Sequence, residues 1–427
     1  MKAGQGVAVG MLLTACAPAM AADVRLLSRN YLIHNDFRSD NRSEKNLTRE
    51  WAQGFIGRYR SDLTPGTFGL GVDLHGFLGV KLDGGRGHAG TGLLPVDSDG
   101  RSRSEYSSAG GALRVVHGAS TLAYGEMRVE TPVFATADKR LQPEYATGWF
   151  LDDRTVEGLT LQAGRFTAFK NQDSSSGRGD FAGYGATTRF GGISLAGATW
   201  APADRVWGGA LYASSLEDVW QQTYANLNLH RGPWSLDANL YRTVDAGEAR
   251  AGKIDTLAYS LITRRSLAAH TLSLGYQKVE GDTPFDFVGG DSIYLANSVK
   301  FADFNGANER SWQARYQWSG KDIGLAGLSI SARYVRGSDI DGTHAPQGGA
   351  YNPFDGSGYR PQQGRGGKHW ERDLDVAYVV QSGAARGLSL SMAHVTHRAN
   401  AAQGGPDIDR IYLIIEYPLD LQGGFAP

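Results

Sequence analysis

The sequence predicts an all-β protein: an antiparallel β-barrel that crosses a membrane on its strands. Three observations predict it. Apolar and polar residues alternate with a period of two again and again, and 3.6-residue periods are nearly absent. The apolar faces often begin or end in an aromatic residue, as at Trp234, Trp312, Trp318 and Tyr59, which is the girdle pattern of strands that meet lipid. An export-type N-terminus precedes a chain whose mean hydropathy is only -0.34 and which has no later apolar run near the ~18 residues of a spanning helix.

Composition narrows the function classes. Lys+Arg 43 balances Asp+Glu 44, so the basic excess of a nucleic-acid binder is missing. Cysteine occurs once, at Cys16, which removes disulfide frameworks, thiolate zinc sites and cysteine nucleophiles together. Glycine, at 58 of 427 residues, is roughly twice its ordinary ~7%.

Taken in order, residues 1–22 read as a Sec-type signal peptide. Lys2 supplies the basic start, Val7 to Ala15 the apolar stretch, and Ala19-Met20-Ala21-Ala22 the small residues before cleavage. Leu13-Thr14-Ala15-Cys16 offers a rival lipoprotein site. Residues 23–427 read as one barrel domain. Phe68, Leu70, Val72 and Leu74 share one face, while Gly69, Gly71, Asp73 and His75 take the other. The stretches from Trp234 to Tyr241, Trp312 to Trp318, Leu328 to Tyr334, Leu388 to Met392 and Ile411 to Tyr417 repeat the pattern. The polar faces hold Arg, Asp, Gln, Ser and Gly, which suits a wet lumen better than a packed core. Short connections fall at 62–67 and 324–327, and long Gly- and Asp-rich ones at 83–105, 170–183, 281–292 and 336–368.

Ordered landmarks then carry a resemblance. They include Arg29-Asn30-Tyr31, Glu50-Trp51-Ala52-Gln53-Gly54-Phe55, Thr64-Pro65-Gly66-Thr67-Phe68, Pro132-Val133-Phe134 and Arg140-Leu141-Gln142-Pro143. Tyr276-Gln277-Lys278-Val279-Glu280, Glu309-Arg310-Ser311-Trp312-Gln313-Ala314-Arg315-Tyr316 and His397-Arg398-Ala399-Asn400 follow. Over nearly the whole mature length the chain resembles the OprD-type substrate-selective outer-membrane porins. The resemblance implies an 18-stranded monomeric barrel in the bacterial outer membrane with inward-folded constriction loops. It also implies passive uptake of small carboxylate-bearing solutes such as amino acids or peptides, with carbapenem antibiotics among them. Neither a cofactor nor a metal is implied. The expected partners are those solutes, outer-membrane lipid and lipopolysaccharide.

A carboxylate is best gripped by a planar two-donor fork, which arginine offers and lysine does not. Ten lysines leave 33 of the 43 basic residues as arginine. Alternation selects the lumenal ones. Phe55 and Tyr59 share a face, so Arg58 and Arg60 share the other; Arg315 lies opposite Trp312, Arg333 opposite Ile330, and Arg114 between Leu113 and Val115. Arg29 completes the set, since an arginine facing lipid at the midplane costs about 2–4 kcal/mol. Asp73 is lumenal by the same rule, with pairing to a neighbouring arginine as its expected role. By resemblance, Arg140 lies in the constriction segment 131–143, bounded by Pro132 and Pro143, and Asp291 lies in a second inward-folded loop.

Two departures from the family pattern stand out. Late strands of the family commonly carry alternating arginines, but Ser389, Ser391 and Ala393 occupy the polar face here, and Asn35 stands where a basic residue is common. The loop 281–292 is also shorter than in the family member that the chain resembles most, which predicts a wider mouth. Selectivity for basic amino acids therefore does not carry over automatically. A barrel enzyme, either a protease or a lipid hydrolase, and an adhesive barrel are the alternatives. The first needs a catalytic constellation, and none is recognisable; Gly290-Asp291-Ser292 lacks a strand-turn-helix context, and Asp97-Ser98-Asp99-Gly100 lacks the closing glutamate of a calcium loop.

Overall fold

The computed structural model describes residues 22–38, 46–85, 87–181 and 191–420. The expected signal segment, Cys16 included, lies outside the described residues apart from Ala22, as does part of the connection expected over 170–183.

The alternating segments form β1 (Asp23–Phe37), β2 (Leu47–Arg60), β3 (Gly69–Asp83), β4 (Glu105–His117) and β5 (Ser120–Met127). A two-residue hairpin, β6 (Glu130–Thr131) and β7 (Phe134–Ala135), follows inside a connection. Then come β8 (Tyr145–Asp153), β9 (Leu159–Lys170), β10 (Ile193–Trp200), β11 (Trp207–Leu216), β12 (Trp220–Arg231) and β13 (Trp234–Asp245). The series ends with β14 (Asp255–Leu267), β15 (His270–Glu280), β16 (Arg310–Ser319), β17 (Leu328–Ile340), β18 (Gly367–Val379), β19 (Ser389–Ala399) and β20 (Ile408–Asp420). Apart from the hairpin, these strands make one 18-stranded antiparallel sheet, each paired to its sequence neighbours. β1 pairs with both β2 and β20, so the sheet closes on itself and no edge remains. The one helical element among the described residues is a 3-10 turn, Gly320–Ile323.

Side-chain parity explains why these residues pair this way. Leu70, Val72, Leu74 and Leu78 of β3 and Leu272, Leu274 and Tyr276 of β15 are exposed on the outer wall, where lipid would cover them. Exposed tryptophans mark both ends of that band: Trp200, Trp207 and Trp234 beside the short turns, Trp51 and Trp312 beside the long loops. Two of the three two-residue turns between wall strands, His117 to Ser120 and Arg231 to Trp234, place Gly118 and Gly232 at φ 57°, a left-handed conformation that glycine adopts without a Cβ clash; in the third, Leu267 to His270, Ala268 takes φ 49°.

The interior differs from the wet lumen the polar faces suggest. Two buried apolar clusters sit inside the long-loop half of the barrel. One packs Phe134, Phe166, Phe169, Phe181, Trp220, Tyr241 and Phe285; the other packs Ile33, Ile56, Phe77, Leu93, Leu94, Leu141 and Val395. Strand residues and inward-folded loops contribute to both. The connection expected over 281–292 runs on to residue 309, because β16 starts only at Arg310. Its length lets it reach across the lumen, so it narrows the barrel where a short loop would have left the mouth open.

Candidate solute pathway

Two connections build the constriction: 128–144, between β5 and β8, and 281–309, between β15 and β16. Glu144 joins them, with Oε2 accepting the Ala137 N–H at 2.7 Å and the Gly290 N–H at 2.9 Å. Ser292 Oγ accepts the Ala135 N–H at 2.6 Å, and Lys139 pairs with Asp291. Tyr241 Oη donates to the Pro132 carbonyl at 2.8 Å. Glu144 is buried, and desolvation lifts its carboxyl above the ordinary 4.5 despite the two N–H donors.

Arg29 locks the first of these loops, 128–144, to the wall. Its Nη1 donates to Asp138 Oδ1 and to the Arg140 carbonyl, both at 2.7 Å, and its Nε donates to Glu416 Oε1 at 2.6 Å. With three acceptors held and the side chain only 7% exposed, Arg29 is a clamp. Asp138 also draws Arg128 to 3.3 Å and Arg58 to 3.8 Å, so one carboxylate sits among three guanidiniums. Arg140 has no acid partner among the described residues. Its Nη1 donates to the Lys139 carbonyl at 3.0 Å, and its Nε is buried without any acceptor.

Below these loops, on the side of the short turns, lies a cavity of about 590 Å³. Arg29, Lys139, Arg140, Lys300, Arg333 and Tyr412 are among its walls. A recess of about 330 Å³ shares Lys300, Arg333 and Asp375 with it and adds Arg315. Arg333 gives Nε and Nη2 to Asp373 Oδ2 at 2.8 and 2.6 Å, and Lys300 meets Asp375 at 2.9 Å. Arg315 Nε, like Arg140 Nε, is buried without an acceptor. The wall formed by β9 to β14 bounds another cavity, of about 530 Å³. It presents Glu130, Asp237, Asn226, Asn239, Tyr224 and Arg264.

Register connects the cations. Arg264, Ser273, Arg315, Arg333, Asp373, Val395, Arg410 and Asn35 are successive cross-strand partners from β14 round to β1. Strands in a barrel tilt by ~35–45°, so a line of opposed residues climbs along the axis. This one starts near the short turn after β14 and ends near the long-loop end of β1. Arg410 donates through Nε to Asn35 Oδ1 at 2.6 Å and stacks over Phe301 at 4.8 Å. The basic side chain absent at Asn35 is thus supplied from the neighbouring strand. The gap on β19 is real: Val395 holds the row there.

The sequence-selected residues fall into distinct settings. Arg58, Arg140, Arg315, Arg333 and Asp291 gather at or below the constriction, and Arg29 anchors it. Arg60, Arg114 and Asp73 form a separate group toward the short turns. There Arg114 is buried, donating to Asp73 Oδ1 at 2.8 Å and to the Ser61 carbonyl at 2.9 Å, while Arg60 stands 3.9 Å from the same carboxylate. Arg264, Lys300 and Arg410 were not selected. Parity from the outward Leu261 and Leu413 signals the two arginines; Lys300 lies in a loop, where no period points to it.

The profile of the OprD family of outer-membrane porins matches residues 21–421. The chain belongs to the OprD family. Porin D of Pseudomonas aeruginosa is 42% identical over 411 residues, covering 93% of this chain and 90% of that protein. The crystal structure of Pseudomonas aeruginosa OpdK with vanillate aligns at a TM-score of 0.81 with 35% identity, over 93% of this chain and 98% of that one. Pseudomonas aeruginosa OccK9 aligns at 0.84 with 33% identity over the same shares. This OprD-family member is therefore a bacterial outer-membrane channel for small solutes and not an enzyme.

Proposed function

We propose that this porin admits small solutes through their carboxylates, amino acids, small peptides and carbapenems among them. The observation that carries the reading is that Arg140 and Arg315 form no ion pair with an acid among the described residues and line two cavities that share Lys300, Arg333 and Asp375. A hydrogen bond to a charged group contributes about 1.5–3 kcal/mol net. Two such bonds give about 3–6 kcal/mol, which brackets the ~4 kcal/mol of a millimolar site. That is strong enough to draw a carboxylate in and weak enough to let it leave. Glu130 of the constriction loop and Asp237 of β13 line the second cavity and supply a counter-field for an ammonium, which favours zwitterions over simple anions.

Uptake into proteoliposomes tests this. Arg140→Ala with Arg315→Ala should slow a small carboxylate several-fold and leave an uncharged solute of equal size unchanged. Equal slowing of both would mean a purely steric pore. We also read the wall as embedded in outer-leaflet lipopolysaccharide, and residues 1–22 as the segment removed on export.

A further inference from the structure

On the outer wall near the long-loop rim, most arginines have an acid beside them. Arg49 has Asp83 at 3.5 Å, Arg310 has Asp339 at 2.7 Å, Arg398 has Asp409 at 2.8 Å, and Arg242 pairs with Asp255. Two do not follow this rule. Arg336 of β17 and Arg372 of β18 are both exposed, and their parity with Ile330 and Leu374 turns them outward. Among the described residues Arg336 makes no side-chain hydrogen bond or ion pair. Arg372 has a single bond, from Nη2 to Thr396 Oγ1 at 3.3 Å.

Their surroundings are those of a headgroup zone. Arg336 lies between Trp312 and Trp370 in the register, and Arg372 lies opposite Tyr334. The three rings form a band, with centroids 5.5 Å apart for Trp312–Tyr334 and 5.9 Å for Tyr334–Trp370. Strand spacing of ~4.8 Å and two residues of ~3.4 Å rise put the two arginine Cα atoms about 8 Å apart, close enough for both forks to meet one anion. Leu374, two residues beyond Arg372, is already in the lipid band. An unpaired guanidinium so near hydrocarbon is costly unless an anion reaches it from the membrane.

We propose that Arg336 and Arg372, framed by Trp312, Tyr334 and Trp370, form a binding site for a phosphate group of the outer-leaflet glycolipid, lipopolysaccharide. The long-loop end faces the cell exterior in barrels of this kind, so the adjoining leaflet is the one built of that lipid. Bidentate arginine forks suit a phosphate, and the rings suit the sugar–acyl boundary. The site rests on the outer-membrane assignment and is independent of the solute pathway, since both arginines lie outside the lumen.

Native mass spectrometry of the folded barrel with bisphosphorylated lipid A tests it. The wild-type protein should retain one lipid A, and Arg336→Ala/Arg372→Ala should weaken retention about tenfold or more. Dephosphorylated lipid A should bind the wild type as poorly as phosphorylated lipid binds the variant. Arg336→Lys/Arg372→Lys should restore part of the retention, and single-channel conductance should be the same throughout. Equal retention by wild type and the alanine pair overturns the site. So does equal retention of phosphatidylglycerol, or full displacement of lipid A by inorganic phosphate. Should the alanine pair fail to fold, Arg336→Gln/Arg372→Gln is scored by the same criteria. Altered conductance in the alanine pair would overturn the placement of both arginines outside the lumen, and the site with it.

Discussion

Arg140 and Arg333 carry the same guanidinium into different circumstances. Asp373 occupies two donors of Arg333, while Arg140 lines the same cavity with no acid paired to it among the described residues. Arg140→Ala should therefore reduce the preference for anions and zwitterions more than Arg333→Ala does. Reversal potentials in a salt gradient read this directly. The difference should shrink as salt rises, since screening acts over about 8 Å at physiological ionic strength. Glu144 gives a second test at this scale. Its carboxyl holds its proton above the ordinary value of 4.5 because burial disfavours the charge. A raised value in the folded loops means that the contribution of Glu144 is complete below 4.5 and is lost as pH rises through the folded value. Lowering the pH from neutral should thus tighten this junction and reduce gating flicker in single-channel records. Glu144→Gln keeps an acceptor and cannot titrate, so its records should lose that share of the pH response.

The loop 281–309 shows how an element holds its place inside a barrel. Glu371 accepts the N–H groups of Phe301 and Ala302 at 2.9 and 2.8 Å, and His369 Nε2 meets Glu309 Oε1 at 2.6 Å. A Cβ at Gly337 would collide with that Glu309 oxygen. Gly337→Ala should therefore loosen the loop and raise conductance, while the heat-resistant electrophoretic mobility of the barrel stays unchanged. Unchanged conductance would show that the loop is held elsewhere. Trp312 tests the outer wall instead: Trp312→Ala should slow assembly and spare transport in folded barrels, whereas Arg315→Leu should lower carboxylate uptake without affecting assembly. Strand faces were legible in the sequence for a simple reason. Lipid tolerates few polar groups, so parity is enforced across the hydrocarbon band though not at the rim, and that rule turns Arg58, Arg315 and Arg333 inward. Arg264 escaped because the Arg264-Arg265 doublet masks its parity, and Arg410 because the apolar run after it blurs inside from outside. Loop positions obey no period. That is why the end of 281–309 and the place of Lys300 came only with the structure.

At the scale of the whole molecule, the row from Arg264 to Asn35 was hidden for another reason. It depends on the register of eight strands, and no single segment encodes it. Export is testable here too: the mature outer-membrane chain should begin at Ala22 or Asp23 without acyl mass, and a lipidated Cys16 in intact-mass analysis would reverse that reading. Closure has its own logic. β1 is complete only when β20 arrives, and Arg29 and Glu416, 387 residues apart, meet across that seam. Until then the first strand has one bare edge, open to wrong partners for as long as the remaining strands are being delivered. Arg29 also grips Asp138 and the Arg140 carbonyl, so zipping the seam and setting the constriction share one side chain. A half-built barrel accordingly has no eyelet. The cell gains a safeguard from this coupling: the selective filter comes into being in the same event that seals the wall, and a cylinder left ajar is never a finished pore.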